Sequence, residues 1–110
     1  MIIGVAGPYS ASTEEERKQN LNKLNTAAAR LLEMGHIPLI GINAALPVTN
    51  LAKTVDAYKA NMEISMAVIS ACEAILLLGE SRGANMERDL IISKGLPVYY
   101  SLEEIPPLVK

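Results

Sequence analysis

A chain of 110 residues has room for one domain and one core, so a single site is expected. Half of its residues are hydrophobic and a fifth charged, more apolar surface than so small a core hides, which points to a homodimer or higher homo-oligomer. The net charge of −2, the pI near 5.4 and the lack of any Lys/Arg run interleaved with aromatics exclude the electrostatic footprint of a polymeric nucleic-acid binder.

Met1 leads straight into Ile2-Ile3-Gly4-Val5-Ala6 with no basic n-region and no small-residue cleavage site. The longest apolar stretch, Ala74 to Leu78, is strand length and far below the ~20 residues of a membrane span. A cytoplasmic protein with no membrane partner is therefore expected. Cys72 is the sole cysteine, which excludes an internal disulfide, fits a reducing compartment and reads as a small buried apolar residue.

Residues 2 to 6 read as a buried strand, followed by the loop Gly7-Pro8-Tyr9-Ser10. Thr13 with Glu16 three residues later forms a capping box that starts a helix. Leu21, Leu24, Ala28 and Leu31 recur along it at helical spacing, and Gly35 stands where a C-terminal cap belongs. Ile37 to Ile42 reads as a second strand, with Pro38 pushing its first end to a sheet edge. Asn43 to Lys53 reads as a loop.

From Thr54 to about Ala71 the pattern is helical, with Tyr58, Met62, Met66 and Ile69 on one side and Ile64 and Val68 on another. So broad an apolar surface suits both a core and a subunit contact. Ala74 to Leu78 is a continuous apolar strand, Gly83 to Lys94 a helix stopped by Gly95, and Leu96 to Tyr100 a last strand. Ser101 with Glu104 repeats the capping-box spacing and predicts a short helical turn before Pro106-Pro107.

Strands alternating with helices of this length predict one α/β domain over residues 1–110: a flavodoxin/Rossmann-like three-layer α/β/α fold with a four- to five-stranded parallel sheet and right-handed crossovers. In the flavodoxin-like order the first and third strands are neighbours, and ligands bind at their carboxyl ends. Those ends carry Gly7-Pro8-Tyr9-Ser10 and Gly79-Glu80-Ser81-Arg82-Gly83.

Ser81 and Gly83 lie just before a helix, where unpaired amides and the positive end of the macrodipole favour an anion such as a phosphate. The alternative, which these two residues by themselves favour, is that Ser81 merely caps the helix and Gly83 merely turns the chain. Glu87 sits one turn in, on the face of Ala84, Leu90 and Ile91 that meets the sheet, where a carboxylate is costly without a partner. Lys94 points in a similar direction but snorkels from the helix end. Held by first-turn amides, Glu87 is expected to stay ionised as a nucleophile towards an anomeric carbon; the alternative is a surface glutamate that complements the dipole. Tyr9 projects over the crevice, to stack on a base or orient the carboxylate, or packs on the first helix. His36, at the far end of the sheet, reads as a solvated turn residue, and one His and one Cys without companion spacing give no metal site.

At these residues the chain resembles the nucleoside 2-deoxyribosyltransferase-like superfamily, over nearly its whole length. The resemblance rests on Val5-Ala6-Gly7-Pro8-Tyr9-Ser10, on Leu77-Leu78-Gly79-Glu80-Ser81-Arg82-Gly83-Ala84-Asn85-Met86-Glu87, with its Ser-x-Gly-Ala-x-x-Glu pattern, and on Gly95-Leu96-Pro97-Val98-Tyr99-Tyr100. It implies that Glu87 attacks C1′ of a nucleoside or nucleoside 5′-monophosphate, with Tyr9 beside it, and that Ser81 and Gly83 hold a 5′ group or phosphate, with Gly7, Pro8, Ser10 and Ala84 completing the substrate site. The implied chemistry is retaining N-glycoside cleavage or transfer through a glycosyl-glutamate, with no cofactor and with a site beside a subunit interface.

One departure stands out: the family places an aspartate eight residues ahead of the acidic residue that is Glu73 here, and this chain has Ser65. Asp56, Glu63 and Glu80 are the candidates for a second carboxylate, with Glu80 first because it shares the loop. Ser65 also supports a catalytically impaired nucleotide-binding module. An FMN carrier would have only four tyrosines and no Trp or Phe to stack on the ring, and a phosphorelay receiver would carry an acidic cluster where Gly7-Pro8-Tyr9 stands.

Overall fold

Ile3 and Val5 send their side chains to one face of strand β1 (Ile2–Ala6) and Ala6 to the other, so both faces of the sheet require a cover. The computed structural model describes residues 1–53 and 56–108, and in it that cover is helical on each side. Helix α1 (Glu14–Glu33) lays Leu24, Ala27 and Leu31 on Ile3, Val5, Ala74 and Leu76, with Ile105 closing the same cluster. On the opposite face, helices α3 (Ala57–Ser70) and α4 (Arg82–Ser93) bury Ile69, Ala84 and Ile91 against Ala6, Ile75 and Leu77. Strands β2 (Ile37–Leu39), β3 (Ala74–Leu77) and β4 (Val98–Tyr99) complete a four-stranded, all-parallel sheet of order β2-β1-β3-β4. β1 and β3 are neighbours, as the flavodoxin-like expectation requires, and β2, whose Pro38 pairs with Ile3, is an edge strand.

Helix boundaries follow their capping chemistry. Thr13 Oγ1 accepts from the Glu16 amide at 3.1 Å and starts α1. Gly35 ends it at φ +94, with its amide on the Leu32 carbonyl and the His36 amide on the Leu31 carbonyl. Gly95, at φ +71, closes α4 with the same pair of bonds. Asp56 caps α3, its Oδ1 accepting from the Lys59 amide at 3.1 Å; Thr54 and Val55, where the sequence pattern begins, lie outside the described residues.

Five expectations are corrected. The predicted second strand stops at Leu39, and most of the predicted 43–53 loop is helix α2 (Gly41–Thr49) despite Pro47 within it. Gly41, Ala45 and Thr49, spaced four apart, are all buried. This seam of small side chains lets α2 lie close along α3: a Cβ on Gly41 would stand 2.7 Å from the Cα and Cβ of Ser65. The last strand shortens to Val98–Tyr99. The final turn is a 3-10 turn, Leu102–Glu104, that Ser101 does not cap; the Glu104 carboxylate instead accepts from the Tyr100 amide at 3.0 Å. His36 is buried at 2% exposure rather than solvated: its Nδ1 lies 3.0 Å from the Met1 amino group and its Nε2 2.8 Å from the Pro106 carbonyl oxygen. No described helix is long and apolar enough to cross a membrane.

Candidate functional site

Chain direction brings the first residues after β1, β2 and β3 to one end of the sheet, where they surround a cavity of about 360 Å³. Its floor is the end of β1 (Val5, Ala6) with Leu24. One wall is Ile40, Gly41 and Ile42 at the start of α2, and the opposite wall is Ser81 to Ala84 with Glu87 at the start of α4. The β1 loop, Gly7 to Ser10, borders it, and α3 contributes Tyr58, Asn61, Met62 and Ser65.

The α4 side is arranged for an anion. Ser81 Oγ accepts from the Ala84 amide at 3.1 Å, so the serine does cap the helix while its own hydrogen remains free to donate to a ligand. The first turn of α4 holds no acidic residue and begins with Arg82, whereas the first turn of α1 holds Glu14, Glu15 and Glu16. A cation at a helix N-terminus opposes the macrodipole by a few tenths of a kcal/mol to about 1 kcal/mol. Arg82 has no carboxylate partner among the described residues and lines the cavity, so an anion bound there would satisfy both charges. Gly83 has a second use, since a Cβ on it would stand 3.3 Å from Met62 Sδ of the facing helix.

Glu87 is the single carboxylate on the described lining, and its ionisation corrects the sequence expectation. Burial pushes its pKa from the ordinary 4.5 up to about 8, with no charge or hydrogen bond offsetting the loss of water. No first-turn amide holds it ionised: the Ala84 and Asn85 amides are taken by Ser81, and Glu87 accepts no hydrogen bond among the described residues. At neutral pH Glu87 is therefore mostly a neutral carboxylic acid, and Arg82 is the one charged side chain left on the described lining.

The chain's whole set of cavity-forming elements, β1 to α4, falls within the span that matches a known family, residues 1–100, described as a domain of unknown function, DUF4406. The chain belongs to that family. No curated protein matches it.

In this DUF4406 domain Gly7, Pro8, Tyr9, Ser10, Ser81, Gly83, Ala84 and Glu87 all line the one cavity. Tyr9 is half-buried, its carbonyl accepting from Asn20 Nδ2 at 3.0 Å. Ala84 offers only its methyl group, because its amide is used by Ser81. Glu80 does not join them: its side chain is 76% exposed and sits 3.5 Å from Arg88. Asp56 is occupied as a cap, and Glu63 is exposed beside Lys59. Lys94 does reach out, donating to the Ser70 carbonyl. Among the described residues no three His, Cys, Asp or Glu side chains gather as a metal site.

Sequence reasoning missed Arg82, Asn61, Tyr58, Met62 and the start of α2. Arg82 had a local signal, since it stands between Ser81 and Gly83 at a helix start. Asn61 and Gly41 had none, because the packing of α2 on α3 brings them to the site. Asn61 Oδ1 accepts from Thr49 Oγ1 at 2.7 Å, which leaves Nδ2 as the donor this side chain presents.

Proposed function

We propose that the DUF4406 domain cleaves or transfers the N-glycosidic bond of a nucleoside 5′-monophosphate, with Glu87 as nucleophile, in the manner of the nucleoside 2-deoxyribosyltransferase-like superfamily that its motifs resemble. The observation that carries this reading is a lone, desolvated glutamate in a cavity whose adjoining helix N-terminus bears an unpaired arginine. The phosphate sits on the Arg82 and Gly83 amides, with Ser81 Oγ and the Arg82 guanidinium as further donors. Tyr9 lies over the sugar and base. The ionised fraction of Glu87, roughly a tenth at pH 7 for a pKa near 8, attacks C1′. That fraction is a poorly solvated and hence reactive carboxylate, and the cationic character that develops at C1′ compensates its charge. Water or a second base then takes the sugar from Glu87.

The test is incubation with a panel of nucleosides and 5′-monophosphates, with free base followed by chromatography and intact-protein mass spectrometry for a glycosyl adduct. Base release with an adduct mapped to Glu87, abolished in Glu87→Gln, supports the reading; unchanged release in Glu87→Gln overturns it. Ser65 in place of the family's aspartate, together with a largely protonated Glu87, favours a second reading, a nucleotide-binding module without turnover. Tight 5′-monophosphate binding with no base released on prolonged incubation selects it.

A further inference from the structure

Ser65 is 4% exposed, lines the cavity, and has no hydrogen-bond partner among the described residues. Its Oγ is not sealed off, since the one described buried side-chain polar atom without a partner is Asn85 Oδ1; the Ser65 hydroxyl is open to the cavity and free to pair with a ligand atom. It lies against Gly41, the first residue of α2, close enough that a Cβ on Gly41 would meet its Cβ at 2.7 Å. The N-cap of α2 is Ile40, which has no side-chain acceptor, so Gly41 and Ile42, both on the cavity lining, begin the helix without a side-chain cap. One turn before Ser65, Asn61 presents Nδ2, its Oδ1 fixed by Thr49. Three kinds of neutral donor thus line the α2–α3 side of the cavity.

This group lies across the cavity from Arg82. β2 and β3 flank β1, and strands are spaced about 4.8 Å apart, so the two helix starts stand roughly 10 Å apart. That separation suits a ligand with phosphate at one end and a nucleobase at the other. Since Glu87 is the only described carboxylate on the lining, no second carboxylic acid is in place to protonate a leaving base.

We propose, resting on the N-glycosidase reading above, that Ser65 Oγ, Asn61 Nδ2 and the uncapped amides of Gly41 and Ile42 bind the carbonyl oxygen of the departing base and stabilise it as an anion, making a 2-oxopyrimidine nucleotide the preferred substrate. As a Glu87 carboxylate oxygen bonds to C1′, the C1′–N bond breaks and its electron pair passes to the base. The negative charge is shared between the ring nitrogen and the 2-carbonyl oxygen, which the donors meet. Water then supplies hydroxide to C1′ and the proton to the base. A pyrimidine has its 2-carbonyl beside the bond that breaks; adenine has no carbonyl to offer.

The experiment compares base release from dUMP, 5-fluoro-dUMP and dAMP by wild type, Ser65→Ala and Asn61→Asp, with the folding of each variant checked by circular dichroism. Ser65→Ala is expected to lower release from dUMP by about a hundredfold to a thousandfold, as for loss of one oxyanion donor. The loss is smaller with 5-fluoro-dUMP, whose base leaves more readily, and dAMP turnover stays the slowest and unchanged. An equal loss on all three substrates overturns the proposal. Binding of free 5-fluorouracil, followed by ultraviolet difference spectra across pH, judges the same subsite without turnover. Preferential binding of the monoanion, weakened in Ser65→Ala and abolished in Asn61→Asp, supports it, and equal affinity for neutral and anionic base overturns it. Absence of base release from every nucleotide by wild type would refute the glycosidase reading alone, since the binding arm decides the subsite independently.

Discussion

Replacing Glu87 by Gln removes a buried titration and leaves a side chain of the same shape, so its effect on stability depends on pH in a way a packing defect does not. Glu87 has a pKa of about 8 in the folded protein against 4.5 for the free side chain, so the folded state holds the proton more tightly. The native protein binds more protons than the unfolded chain between those values, and its stability falls as pH rises through that window. Each pH unit corresponds to about 1.4 kcal/mol, which sets a ceiling of roughly 5 kcal/mol. Water reaching the cavity side of a half-buried carboxyl reduces this to about 2–4 kcal/mol. Wild type and Glu87→Gln are therefore expected to match within about 1 kcal/mol at pH 5, with the variant about 2–4 kcal/mol more stable at pH 9. Urea unfolding at pH 5, 7 and 9, analysed with a common slope, reads the difference directly. A gap between the two proteins that is the same at all three values would mean that Glu87 is ionised throughout, and the argument from desolvation would fail.

Base release should follow the same proton. If ionised Glu87 is the nucleophile, kcat/KM rises on the order of a hundredfold from pH 6 to pH 9 and levels above about 8, and a fall through that region would make it an acid instead. Arg82→Ala should weaken 5′-monophosphate binding by about tenfold in isothermal titration while leaving nucleoside binding unchanged, since the lost group meets only the phosphate. Gly41→Ala places a methyl group 2.7 Å from Ser65 and should destabilise the fold by about 1–3 kcal/mol in urea titrations. Cys72, whose thiol burial pushes up to about 11 with the nearby Glu87 charge adding to it, should resist Ellman's reagent in the native protein and react fully in denaturant.

Local chemistry was legible where a short segment carries its own instruction. Thr13 and Gly35 mark both ends of α1, Ser81 marks the start of α4, and the unbroken apolar run at 74–78 marks a central strand. The convergence of the β1 and β3 turns followed from parallel topology, and with it eight of the nine proposed site residues. Features that depend on a partner element were not legible. Asn43, Pro47 and Asn50 discourage a helix on propensity, yet α2 forms because Gly41, Ala45 and Thr49 bury against α3. Glu80 is next to Ser81 in sequence but turns towards Arg88, two helical turns further on, because an exposed carboxylate has a half-buried cation in reach and no reason to enter an apolar crevice. Glu87 was placed correctly and ionised wrongly: its position is a matter of helical period, but its proton depends on how much water the α3 wall excludes.

The seam of Gly41, Ala45 and Thr49 against α3 also has a mechanical side. With no long side chains from α2 along that line, and with the Thr49–Asn61 hydrogen bond pinning its far end, the two helices form one slab that follows the three-residue edge strand β2. Asn61, Ser65 and the first residues of α2 therefore belong to one packed wall of the cavity. The spacing among these polar atoms is then set by how α2 packs on α3, while Arg82 and Glu87 are placed separately by α4.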